Sequence, residues 1–154
     1  MARWITDRTQ SDVDRVKEIA AKARTDTWTE AEQAEWVAGM KGALSYTDFN
    51  RIESGVLELA NILGASVNVK TDWSVSGYLT TSDASRWLAN IEAIRSKNSG
   101  SSQLGQIPTT ASMDKLTFDI MNQIESILED IETLAKTYVT FSGEYMTGEG
   151  QYGF

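Results

Sequence analysis

The chain has 154 residues, a formal net charge of -8, and neither cysteine nor histidine. Without cysteine it has no disulfides, thiol nucleophiles or thiolate metal ligands, and without histidine it lacks the commonest general base near neutral pH. The acidic balance disfavours binding to nucleic-acid backbones and to anionic membranes, and no apolar run approaches the ~20 residues of a membrane-spanning helix. Residues 1–8 lack the apolar segment of a signal peptide, which predicts a protein made in the cytosol.

The pattern of apolar residues predicts an all-α fold, a bundle of about four to five helices. Proline occurs once, at Pro108, which favours long uninterrupted helices. Apolar residues recur at spacings of three and four, and Ser, Thr, Asp and Gly mark the helix ends. The predicted helices run from about Gln10 to Arg24, from Thr29 to near Gly39 or Gly42, from Thr47 or Asp48 to Gly64, from a cap at Thr81 or Ser82 through Ile94, and from near Thr117 to Tyr138.

The longest predicted helix, the fifth, carries a continuous apolar stripe. Such a stripe suits the core of a bundle within one chain, and it is also regular enough for a seam between chains. Burial within the chain is the interpretation that we favour. The stripe consists of Phe118, Met121, Ile124, Leu128, Ile131, Ala135 and Tyr138.

One short sequence, Asn-x-Ile-Glu-Ser, occurs in both the third and the fifth predicted helices. It spans residues 50–54 and 122–126, and a Leu-Glu pair follows each copy. A Thr-Asp pair precedes each copy, at residues 6–7 and 71–72. These matches predict a helical domain over residues 1–138 built from two pseudo-repeated halves, 1–65 and 66–138. Chance convergence of amphipathic helices explains the matches equally well.

After Tyr138 the pattern changes to apolar residues that alternate with small or polar ones, as in a strand. Residues 139–154 are therefore predicted to form an extended, strand-like interaction tail. Tryptophans in the loops before helices are further candidates for contacts with a partner, because aromatic side chains often anchor interfaces. The interface candidates are Trp4, Trp73, Val139, Phe141, Tyr145, Tyr152 and Phe154.

Carboxylates are the only plausible catalytic groups in this sequence. The repeated Glu53 and Glu125 would form an acid/base pair of the kind that cleaves glycosides if their helices packed face to face. A salt bridge, for instance from Glu53 to Lys41 or Arg51, is the interpretation that we favour. Glu125, Glu129 and Glu132 lie on one helix face, which is more typical of a solvated surface than of a metal site. The sequence thus predicts no catalytic, cofactor-binding or metal-binding residues.

Several stretches resemble small tail-region structural proteins of phages and prophages of Gram-positive bacteria. The element Tyr46-Thr47-Asp48-Phe49-Asn50-Arg51-Ile52-Glu53 is similar to one that opens a helix in those proteins. Similar stretches follow in the same order along most of the chain. They are residues 4–13 (WITDRTQSDV), 70–73 (KTDW), 116–128 with Asn122 and Glu125, and 141–144 (FSGE).

The resemblance implies a small virion component of the tail, baseplate or fibre-attachment region, made in the host cytoplasm and present in several symmetric copies. Its expected partners are other tail or virion proteins and further copies of itself, with no nucleic acid, membrane, cofactor or catalytic activity. A different class also fits the acidic charge: a phage-encoded inhibitor that mimics nucleic acid and occupies a basic groove on a host defence protein.

Overall fold

The computed structural model describes residues 3–98, 104–109, 113 and 116–142, the last five of them by their backbone alone. Its regular elements are five α-helices, so the prediction of an all-α bundle is confirmed. The serine- and glycine-rich stretch 99–103 and the tail residues 143–154 lie outside the described residues. The helices are α1 (Gln10–Arg24), α2 (Glu30–Ala38), α3 (Tyr46–Leu63), α4 (Thr81–Ser96) and α5 (Phe118–Ser142).

The first four helices all begin with the same local device, a capping box. A Ser or Thr precedes the helix, and an acidic side chain in the first turn accepts a hydrogen bond from the N–H of that cap residue. This device explains why α3 and α4 begin slightly earlier than predicted. Asp48 and Asp83 occupy the third helical position, which makes Ser45 and Thr80 the caps.

The core lies between α3, α4 and α5, which pack against one another. The apolar stripe of α5 faces inward, so its prediction as an intramolecular core is confirmed for Met121 through Ala135. Each large apolar side chain that is fully buried here stabilises the fold by ~1.5–3 kcal/mol. Those with the least exposure are Ile52 and Leu59 of α3, Ile91 and Ile94 of α4, and Met121, Ile124, Leu128 and Ile131 of α5.

Helices α1 and α2 form an antiparallel pair outside this core. Only Ile19 of α1 and Glu32 of α2 are buried in the pair. Lys22 Nζ lies 2.5 Å from Glu32 Oε1, and Arg15 Nη2 lies 2.8 Å from Glu35 Oε2. Hydrogen bonds from Lys22 and from the N–H of Thr29 lower the pKa of Glu32 to about 2. Charged contacts therefore join two helices that share little apolar surface.

Helix α5 continues through Ser142, four residues beyond its predicted end at Tyr138. Residues 139–142 are therefore helical, and the predicted strand-like conformation is wrong for them. The alternation of Val139 and Phe141 with threonine and serine suggested a strand, but this stretch is short and follows a long helix without Pro or Gly between them. A helix that is already formed adds a hydrogen bond with each further residue, which favours its continuation.

The ring of Trp4 packs against α3 at Gly55. A Cβ at position 55 would overlap Cη2 of Trp4 and would lie 3.1 Å from Cζ2. Trp4 is buried, with 4% of its surface exposed, so its ring has little room to move away. The N-terminal segment thus packs closely on α3 because this helical position lacks a side chain.

We expect Gly55→Ala to lower the free energy of unfolding by ~1–3 kcal/mol through this overlap. The sign of this stability change distinguishes packing from helix propensity, because propensity alone would make Gly55→Ala stabilising by ~1 kcal/mol. Urea denaturation measures the effect, and Ser54→Ala, at the exposed neighbouring position, serves as the control. A stabilised Gly55→Ala protein would contradict this packing.

Candidate functional site

The second copy of the repeated sequence holds the N-terminal segment of the chain. The side-chain amide of Asn122 accepts from the N–H of Arg8 at 3.0 Å and donates to the carbonyl oxygen of Arg8 at 2.8 Å. One turn further along α5, Glu125 Oε2 accepts from the N–H of Ile5 at 2.8 Å. We call this arrangement, Asn122 and Glu125 on residues 5–8, the α5 clasp.

The first copy of the sequence makes the same contacts with a different segment. The amide of Asn50 accepts from the N–H of Trp73 at 2.9 Å and donates to its carbonyl oxygen at 3.0 Å. Glu53 Oε2 accepts from the N–H of Lys70 at 2.7 Å. Asn50 and Glu53 on residues 70–73 form the α3 clasp. Positions three apart share a helix face, so each Asn-x-x-Glu presents both side chains to one segment.

The two clasps exchange segments between the halves of the chain. Residues 5–8 of the first half lie on α5 of the second half, and residues 70–73 of the second half lie on α3 of the first. Each clasped segment contains a Thr-Asp pair at the same place, residues 6–7 and 71–72. The two copies of the repeated sequence therefore make equivalent contacts in addition to sharing the same residues.

Arginines complete the α5 clasp by neutralising Glu125, whose side chain is fully buried. Arg8 Nη2 donates to Glu125 Oε1 at 2.8 Å, and Arg51 Nη1 donates to Oε2 at 2.5 Å. Arg8 also donates to the carbonyl oxygen of Ile5 at 2.8 Å, within the segment that the clasp holds. A buried carboxylate requires such partners, since an unpaired one would be very costly.

Arg86 and two indoles complete the α3 clasp around Glu53. Arg86 donates to both carboxylate oxygens, and the indole N–H groups of Trp73 and Trp87 each donate to Oε1 at 2.9 Å. Burial by itself raises the pKa of Glu53, but the hydrogen bonds from Arg86, Lys70 N–H and the indoles outweigh it, and the pKa is lowered. Glu53 therefore stays ionised in the core.

These contacts correct the expected ion pairs of Glu53. Its partner is Arg86 on α4, whereas Arg51 pairs with Glu125 and Asp48, and Lys41 lies 3.2 Å from Asp7. The carboxylates of Glu53 and Glu125 each accept hydrogen bonds on both oxygens. Glu53, whose pKa is lowered, is a poor general acid, because its neighbours stabilise the charged form.

A third asparagine extends the same kind of contact along the connection between α3 and α4. The amide of Asn90, which is buried on α4, accepts from the N–H of Asn68 at 2.9 Å and donates to its carbonyl oxygen at 2.8 Å. Arg86 Nη1 also donates to this carbonyl oxygen, at 3.0 Å. Side chains thus satisfy the backbone of a segment that has no regular structure of its own.

The predicted interface candidates fall into three groups. Trp4 and Trp73 are each 4% exposed and pack in the core of this chain, and their role in contacts with a partner stays a prediction. Trp4 directly precedes the segment of the α5 clasp and Trp73 is the last residue of the segment of the α3 clasp, which loop position alone does not reveal. Val139 and Phe141 lie in the last turns of α5, and Tyr145, Tyr152 and Phe154 lie outside the described residues.

The acidic stripe on α5 does not gather its carboxylates at one place. Glu125 points into its clasp, Glu129 is exposed, and Glu132 lies 3.0 Å from Lys136 and 3.1 Å from Arg3. Among the residues that the structure describes, no group of three or more acids could hold a metal ion. In the same part of the chain, no helix has both the length and the apolar character to cross a membrane.

The repeated motif singled out Glu53 and Glu125 but not the arginines that pair with them. Arg8, Arg51 and Arg86 come from a loop and from two different helices, so no spacing in the sequence links them to the carboxylates. The repeated Thr-Asp pairs were a usable signal for the segments, since both pairs mark a clasped stretch. Comparison with known proteins adds nothing here, because the chain matches no protein-family model, no curated protein and no solved structure.

We expect Asn50→Ala and Asn122→Ala each to lower the free energy of unfolding by ~1–3 kcal/mol, because each leaves a backbone N–H and C=O without their partners. Urea denaturation measures the effect. Asn61→Ala, at an exposed position of α3, is the control and should change stability by less than ~0.5 kcal/mol. If Asn122→Ala behaves like Asn61→Ala, the α5 clasp does not stabilise the fold.

We expect the Glu53 carboxyl to titrate below its usual pKa of 4.5, because its hydrogen-bond donors favour the ionised form. The Glu53 carboxylate contributes its full stabilisation above pH 4.5. This contribution is lost as the pH falls through the lower pKa of the folded state. The NMR shifts of the Trp73 and Trp87 indole protons report the titration directly, with the exposed Trp36 as the control. A midpoint at or above 4.5 would contradict the assigned contacts.

Proposed function

We propose that the protein is a structural component of a phage tail, in the baseplate or fibre-attachment region, and that it acts as an oligomeric scaffold or adaptor without catalytic activity. The resemblance of residues 4–13, 46–53, 70–73, 116–128 and 141–144 to tail-region proteins supports this assignment. We expect the protein to be made in the host cytoplasm and to become part of the assembled virion. The proposed partners are other tail proteins and further copies of this chain.

One structural observation carries the proposal: the two acids best suited to catalysis are used to hold the chain together. Glu53 and Glu125 bind backbone N–H groups and arginines on both oxygens. The same residues lie in the stretches that carry the resemblance, as do Trp4, Arg8 and Trp73. The features shared with tail proteins are thus parts of the framework, which is consistent with a structural role.

Mass spectrometry of purified phage particles tests the assignment. We expect the chain to be present at a fixed ratio to the other virion proteins, and its absence from the particles would overturn the proposal. The acidic inhibitor, the other class that the sequence allows, predicts a protein absent from particles that binds a basic host protein. That binding would weaken steeply as ionic strength rises, because it would depend on exposed charges.

A further inference from the structure

An open groove lies where the two clasped segments approach the N-terminal end of α3. Its volume is about 830 Å³. Trp4, Ile5 and Asp7 from the first segment line it, and Val75 and Gly77 line it just after the second segment. The end of α2, the loop that follows it and the beginning of α3 supply the remaining residues, including Trp36, Lys41 and Tyr46.

The clasps fix the shape of this groove. The α5 clasp holds Ile5 through its backbone N–H, and the α3 clasp holds Trp73, two residues before Val75. Beyond Trp73 the chain turns at once, with the N–H of Gly77 donating to the carbonyl oxygen of Ser74 at 2.9 Å. A groove whose lining is already ordered binds a partner with a smaller loss of conformational entropy.

Apolar side chains of this groove are exposed to solvent. Val75 is 86% exposed, Trp36 is 40% exposed and Tyr46 is 39% exposed. The charged side chains at the groove are already paired with one another, since Lys41 lies 3.2 Å from Asp7 and Arg51 lies 2.9 Å from Asp48. Apolar groups gathered in an open groove indicate a surface that another chain covers.

The C-terminal residues 143–154 have the composition of a partner for such a groove. They carry Tyr145, Tyr152 and Phe154 separated by glycines, and their only charged side chains are Glu144 and Glu149. Aromatic side chains on a narrow backbone suit an apolar groove, because they provide large contact areas while glycines allow close approach. The paired charges of the groove leave no excess of negative side chains to repel the two glutamates.

The end of α5 lies well past the groove, so the segment of the same chain would have to turn back along the helix to reach it. Glu125 contacts Ile5 beside the groove, and at 1.5 Å per residue the helix carries the chain ~25 Å further on by Ser142. We propose that the groove receives residues 143–154 of a second copy, an inference that rests on the oligomeric scaffold role proposed above. Such a contact joins two different surfaces, so it closes as a two-fold dimer when two copies exchange tails and as a ring or a filament when each copy binds the tail of the next.

Val75→Asp tests the groove, with Val37→Asp as a matched control. Both valines are almost fully exposed, at 86% and 84%, but only Val75 lines the groove. By light scattering after size-exclusion chromatography, we expect the wild-type chain and Val37→Asp to self-associate. We expect Val75→Asp to self-associate at least tenfold more weakly than the wild-type chain, with an unchanged circular dichroism spectrum. Self-association of Val75→Asp at the wild-type level would overturn the proposal.

A mixing experiment tests both sides of the contact in the full-length chain. The combined variant Tyr145→Ser, Tyr152→Ser and Phe154→Ser should be monomeric by itself, because its tail lacks the aromatic side chains. Mixed with Val75→Asp, it should form a one-to-one complex, since one variant retains the groove and the other retains the tail. A synthetic peptide of residues 143–154 should bind the tail variant and not Val75→Asp.

The absence of a complex in the mixture would overturn the tail-in-groove contact, as would equal binding of the peptide to both variants. Neither result bears on whether the protein is part of the virion, which mass spectrometry of particles tests separately. Conversely, a protein that is absent from particles but passes the mixing experiment would lose its proposed role and keep the contact.

Discussion

The fold depends on two glutamates held inside it, Glu53 and Glu125. Each joins a helix to an irregular segment from the other half of the chain, and arginine neutralises each one. Removing one partner of such a buried pair typically costs ~3–5 kcal/mol, because the remaining charge lies away from water. That is a large share of the 5–15 kcal/mol by which domains are usually stable. The clasps also fix the position of each segment along its helix, since every hydrogen bond is made to a particular backbone group.

The arrangement of the clasps relates the internal repeat to the architecture. Two halves that merely resembled each other would pack as separate units, each completing its own core. Here each half supplies the segment that the other half binds, and α3 and α5 pack directly against each other. This reciprocity is what duplication and fusion of a segment-exchanging dimer would produce. It also places the two segments beside a common groove, so the buried polar contacts of the clasps position the exposed apolar surface of that groove.

Local features of the fold were predictable from the sequence, and contacts between distant residues were not. The bounds of α1 and α2 follow from capping residues and from glycine, and the buried stripe of α5 follows from its spacing. The start of α3 was placed too late because Asp48 in its first turn resembles a cap, and the start of α4 was placed too late because Thr81 and Ser82, which follow the cap Thr80, are also good capping residues. The partners of Glu53 and Glu125 depend on how helices and loops come together, which no local pattern encodes. For the same reason, the loop positions of Trp4 and Trp73 did not reveal that both side chains are buried.

The reciprocal exchange has a consequence for how the chain folds as it leaves the ribosome. The segment at residues 5–8 is made first, but the Asn122 and Glu125 that bind it are made more than a hundred residues later. Until then Arg8 has no carboxylate from α5, and the N–H groups of Ile5 and Arg8 lack their side-chain acceptors. Contacts between such distant positions slow folding, because a long loop must close before they form. Folding is therefore expected to finish only after synthesis, with the earliest part of the chain among the last to dock.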